Sequence, residues 1–170
     1  MADKSAFTAE EWETLRTAPQ LVSLAVATSG ASGLLGTMKE AFSSSAALVE
    51  AMKSDNALLR AISTREEIAE AQQSLRDIAK ESRGGDFQQT KERIATRALD
   101  SLRAALDTLQ RKGSPGDYDA YSAFVKSLAT RVAEAAKEGS FLGFGGERVS
   151  EGERQMLAKL DRALAPSGRA

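Results

Sequence analysis

From Thr17 to Met38 the chain runs through 22 residues without one charged side chain. A helix that is apolar all round belongs in an interior, so the rest of the chain must fold around this stretch. Its length also matches a membrane span. Against that reading, Pro19, Gly30, Gly33, Gly36, three serines and three threonines interrupt it, and the dense apolar part covers only Leu21 to Ala27. The segment reads as a helix buried inside a bundle, and the protein as soluble and cytoplasmic. The first sixteen residues set Asp3, Glu10, Glu11 and Glu13 against Lys4 and Arg16, the wrong start for a signal peptide.

The flanking segments announce helices by their ends. Thr8 with Glu11 forms a capping box, and Phe7 with Trp12 a hydrophobic staple. The first helix therefore starts near Ala9. Pro19 should break it near Ala18 and open a second helix to about Thr28. Ser29–Gly33 reads as a turn. A third helix follows with Leu34, Leu35, Met38, Phe42, Val49 and Met52 on its stripe, weakened in the middle by Ser43, Ser44 and Ser45. Asp55 is placed to cap a short piece carrying Leu58, Leu59 and Ile62.

Thr64 with Glu67, or Ser63 with Glu66, offers another capping box before a stripe of Ile68, Ala71, Leu75, Ile78 and Ala79. Gly84 and Gly85 end that helix. Asp86 caps the next, whose inner face runs Ile94, Ala98, Leu99, Leu102, Ala105, Leu106 and Leu109. Its outer face alternates Arg97, Asp100, Arg103, Asp107 and Arg111, a solvated ladder. Gly113–Gly116 is the clearest break. Beyond it, Asp117 starts a helix carrying Tyr118, Tyr121, Phe124, Val125, Leu128, Val132 and Ala135 inward, ended by Gly139. Ser150 and Glu153 box the last helix, which carries Met156, Leu157, Leu160 and Leu164 before Pro166.

No alternating β-branched or aromatic run signals a strand, and no repeat has a fixed period. The expected architecture is an all-α, single-domain bundle of six or seven helices spanning residues 1–170, with 1–6 and 166–170 as flexible tails. At 170 residues such a chain buries a core without metal or disulfide staples.

The chemistry is narrowed by what is missing. The sequence has no cysteine and no histidine, which removes disulfides, thiolate metal sites, cysteine nucleophiles, the commonest general base and the serine–histidine pair. Di-iron helical bundles need Glu-x-x-His and fail on the same ground. Net charge is −1, and each third of the chain is close to balanced. That leaves no footprint for nucleic acid and no polybasic run for a membrane. Gly143, Gly145 and Gly146 precede a helix start but lack the lysine and hydroxyl of a phosphate-binding loop. Phe141, Leu142 and Phe144 instead read as a plug for an open end of the bundle. The pairs Glu66/Glu70 and Asp117/Asp119 lack the further ligands of a metal site.

Two terminal motifs carry a resemblance. Phe7-Thr8-Ala9-Glu10-Glu11-Trp12 with Ala18-Pro19 and Ser32-Gly33, and Glu138-Gly139-Ser140-Phe141-Leu142-Gly143-Phe144-Gly145-Gly146 with Val149-Ser150 and Glu153, resemble a group of small, functionally uncharacterised bacterial proteins that are helical and cytoplasmic. The resemblance implies that both ends belong to one domain. It implies no activity and transfers no catalytic residue.

The sequence therefore points to a non-enzymatic helical domain acting by self-association or protein–protein interaction, without cofactor, metal, nucleic acid or membrane. The alternative is a carrier or sensor for a small apolar ligand in a pocket between helices. Candidate interface or pocket residues are Trp12, Met38, Phe42, Tyr121, Phe141, Leu142 and Phe144.

Overall fold

The structure is a computed structural model that describes residues 4–30, 46–81, 86–138 and 150–165. These residues form an all-α bundle. After a 3₁₀ turn at Lys4–Ala6 come α1 (Ala9–Ser29), α2 (Ala46–Met52), α3 (Ala57–Ile62), α4 (Arg65–Glu81), α5 (Phe87–Lys112), α6 (Asp117–Glu138) and α7 (Glu151–Leu164). The glycine series at 33 and 36, the stripe residues Leu34 to Phe42, Gly84, Gly85, Gly139 and the 140–146 loop lie outside the described residues, as does Pro166.

α1 is the central element. It packs most extensively on α5, then on α6, α4 and α7, and its second half is buried on nearly every side, from Thr17 through Val22 to Thr28. The uncharged stretch thus sits where its composition requires. α1 and α5 run antiparallel: Lys112 Nζ meets Glu11 Oε2 at 2.6 Å at one end, and Lys91 Nζ donates to the Gly30 carbonyl at 3.3 Å at the other. At that second end α1 and α7 approach closely. A β-carbon on Gly152 would lie 2.2 Å from the Ser29 carbonyl oxygen, so only glycine fits the contact.

Both terminal capping-box expectations hold. Thr8 and Glu11 form a reciprocal capping box on α1, as do Ser150 and Glu153 on α7. The Phe7 and Trp12 rings stand 6.0 Å apart in a staple. The exposed ladder of α5 forms as read, with Arg103–Asp100 and Arg111–Asp107 pairs each at 3.0 Å.

Several expectations need correction. Pro19 does not divide α1, which is continuous from Ala9 to Ser29. α3 is capped by Asn56, whose Oδ1 accepts from Leu59 N at 3.0 Å, and not by Asp55. The Asn56 amide also donates to Asp117 Oδ1 at 2.8 Å, tying the starts of α3 and α6 together. Asp86 stands at the cap position of α5 but makes no side-chain cap bond. Val49 and Met52 point outward, because α2 turns Ala47, Leu48 and Ala51 into the core instead. Ala135 is exposed, and Ala129 and Ala133 line the inner face of α6.

The break before α6 is a tight turn. Asp117 N donates to the Ser114 carbonyl at 3.0 Å across Pro115 and Gly116, and Gly116 has φ +90°. Proline second and a positive-φ glycine third are the requirements of a type II turn. Asp117 Oδ2 accepts from Ser114 N at 2.7 Å, which fixes the turn to the helix it opens.

Candidate functional site

Of the seven candidate residues, Trp12 and Tyr121 fall among the described residues; Met38, Phe42, Phe141, Leu142 and Phe144 do not. Trp12 is 3% exposed and Tyr121 fully buried, so both lie in the core rather than at a surface. They do not share a pocket. Each anchors a different contact of α1.

Around Trp12 the N-terminal 3₁₀ turn closes onto α4. Lys4 Nζ lies 5.4 Å from the centre of the Trp12 ring and donates to Glu67 Oε1 at 2.6 Å. Arg16 Nη1 donates to Glu67 Oε2 at 2.8 Å and pairs also with Glu70. Glu67 sits in the first turn of α4, where its backbone N–H reaches Thr64 Oγ1 at 3.3 Å. This is half of the capping box read from the sequence. The carboxylate that would complete it serves Lys4 and Arg16 instead. Burial pushes the Glu67 carboxyl up, but the hydrogen bonds from Lys4 and Arg16 outweigh it and hold the group below its ordinary value of 4.5. The Trp12 indole N–H faces the same carboxylate but falls short of hydrogen-bond geometry.

Tyr121 answers the question that Pro19 raises. A proline within a helix has no N–H for the carbonyl four residues back, which here is that of Leu15. The Tyr121 hydroxyl, reaching in from α6, donates to the Leu15 carbonyl at 2.8 Å. The orphaned acceptor is thereby satisfied inside the core, and α1 continues. Burial pushes the Tyr121 phenol far above its usual range, which keeps the proton that it donates to Leu15.

The described surface has one apolar face that sequence reading missed. Val49 is 44% and Met52 40% exposed, the large hydrophobic side chains that stand out among the described residues. On the other side of α2, α2, α3 and α6 enclose a groove of about 310 Å³ walled by Ala47, Ala51, Leu59, Ala120, Ala123 and Phe124 together with Glu50, Ser54 and Ser127. Glu50 in its wall accepts at both carboxylate oxygens from Arg131 Nη2, at 2.8 and 2.9 Å. The signal was present in Ala47/Ala51 and Ala120/Ala123, small residues spaced four and three apart that leave a trough between two helices.

A second groove of about 400 Å³ runs between α1, α4 and α5. A broader depression of about 650 Å³ on the outer side of α5 adjoins it, sharing Thr14, Arg97 and Ser101. Among the described residues no group of three or more carboxylates is arranged to hold a metal ion. No described helix is long and apolar enough to cross a membrane.

No family model matches the chain, and no curated protein or solved structure is significantly similar to it.

Proposed function

We propose that the domain works by association, pairing with a second copy of itself through the exposed side of α2. The observation that carries this reading is that Val49 and Met52, two large apolar side chains, stand exposed on that side of the helix. A two-fold axis presents the same patch on both partners, so these side chains of one copy meet their counterparts on the other and leave water together. Methionine suits this role because it is unbranched and adapts to an irregular surface.

The rival reading, a carrier for a small apolar ligand, gains less support. Of its expected walls, Trp12 and Tyr121 are occupied by core contacts, and Met38, Phe42 and Phe144 lie outside the described residues.

Light scattering after size exclusion, over a concentration series, tests the proposal. The expected result is a mass rising toward twice 18.1 kDa with concentration. Met52→Glu should return it to the monomer with unchanged helicity, since the side chain is exposed. A monomer throughout the series would overturn the reading, and a monomer carrying a defined extra mass in native mass spectrometry would replace it with the carrier.

A further inference from the structure

The clasp at the start of α1 holds a conflict within a single carboxylate. Glu67 is buried and has three donors around it. Arg16 Nη1 holds Oε2 at 2.8 Å, and Lys4 Nζ holds Oε1 at 2.6 Å. The third, the Trp12 indole N–H, lies beside the same carboxylate, buried and without a hydrogen-bond partner. A buried indole N–H usually finds a partner, because an unmade bond there costs the full desolvation of the group.

The position of Lys4 explains the orphan. Its ammonium stands over the face of the Trp12 ring, 5.4 Å from the centre. Bonding to it draws Oε1 toward that face and out of the ring plane, whereas the indole N–H donates along its own bond, within the plane. Oε1 therefore serves Lys4 or Trp12, but not both. Of the two ion pairs on Glu67, the inner one to Arg16 is shielded, with both side chains largely buried. The Lys4 side chain is 59% exposed, and an ion pair open to water is weak. The turn that carries it, Lys4–Ala6, buries no residue of its own.

We infer that Lys4–Ala6 is a releasable strap and that Glu67 is its latch, with two positions. In the closed position Oε1 accepts from Lys4 and the Trp12 N–H goes unpaired. In the open position the carboxylate swings into the indole plane and accepts from Trp12, and the Lys4 ammonium passes into water. Arg16 stays on Oε2 in both, and the capping box of Thr8 and Glu11 is untouched, so α1 begins at the same residue either way. Opening loses an exposed ion pair and gains a buried hydrogen bond, which keeps both positions within reach of a ligand or a modification that prefers one of them. Neutralising the Lys4 ammonium throws the latch and uncovers the face of Trp12.

Trp12 is the sole tryptophan, so the full chain gives one indole N–H resonance. Lys4→Met, which keeps the stem and removes the charge at an exposed position, should move that resonance downfield as the N–H gains a carboxylate partner. It should also speed hydrogen exchange at the Phe7 amide, which donates to the Lys4 carbonyl at 3.2 Å, by about tenfold, the equivalent of one hydrogen bond to a charged group. Lys4→Arg should keep both close to the parent. Adding Glu67→Leu to Lys4→Met removes the acceptor and should return the resonance upfield. A resonance that Lys4→Met leaves in place or moves upfield would overturn the inference. So would a downfield shift that survives Glu67→Leu, or exchange at Phe7 that does not change. The strap shares no residue with the α2 patch, so none of these outcomes depends on self-association.

Discussion

α1 and α5 are antiparallel neighbours, yet they are built on opposite principles. α5 is an ordinary amphipathic helix: Ile94, Ala98, Leu102, Ala105, Leu106 and Leu109 face inward, and a charged ladder faces water. Its pattern is written locally. α1 has charged residues at its start and none after Arg16, and it carries a proline at its centre. Past Ala18 no charged face of its own solvates it, so something beyond the helix must keep it in place. The bundle does: α5, α6, α4 and α7 surround it, and a hydroxyl from α6 replaces the hydrogen bond that its own sequence cannot make. A surface helix is stabilised mainly by what it is, and a central one by what encloses it.

Substitutions sharpen that contrast, and the largest effect belongs to the centre. Leu15 is fully buried where α1 meets Tyr121. Leu15→Ala should cost about 2–5 kcal/mol, the range for a leucine deletion that leaves a cavity, read from the shift of a urea unfolding midpoint. A cost under 1 kcal/mol would mean that α1 is loosely enclosed.

The next effect lies at the clasp on the N-terminal half of α1. Glu67→Gln should destabilise the fold by about 1.5–3 kcal/mol at pH 7, the range for hydrogen bonds to a charged group. Because the folded-state carboxyl is held below its ordinary 4.5, its contribution is present above that value and is lost as pH falls through the lower, folded one. Denaturation across a pH series should therefore show the variant and the parent converging in acid. A gap that stays constant down to pH 3 would contradict the role given to Lys4 and Arg16.

The smallest effect belongs to the surface of α5. Arg103 is largely exposed and, among the described residues, pairs along its own helix with Asp100, so Arg103→Ala should change stability by no more than about 0.5 kcal/mol. A larger change would mean that the ladder does more than solvate a face.

The same contrast explains how much could be read in advance. The capping boxes of Thr8 and Ser150, the Phe7–Trp12 staple, the ladder of α5 and the burial of residues 21–27 are all encoded within a few residues of where they act. Each is found as expected. Pro19 reads locally as a break because its compensating partner, Tyr121, stands 102 residues further along the chain. Glu67 offered a capping box by spacing, but Lys4 and Arg16 are in competition for its carboxylate through tertiary contact. Val49 and Met52 followed a helical stripe, and the brevity of α2 let a neighbouring set of smaller residues take the inner face. The groove between α2 and α6 is illegible for the same reason: it depends on what another helix brings.

The most direct measurement is a double-mutant cycle between Pro19 and Tyr121, read by urea unfolding. Tyr121→Phe removes only the hydroxyl and leaves the Leu15 carbonyl buried without a partner, at about 1–3 kcal/mol. Pro19→Ala restores the backbone N–H that the carbonyl lacks. In the Pro19→Ala background Tyr121→Phe should therefore cost at least about 1 kcal/mol less than in the parent, a coupling outside the range of independent sites. Equal costs in the two backgrounds would mean that Tyr121 does not stand in for the missing bond, and that α1 holds together through its centre by some other means.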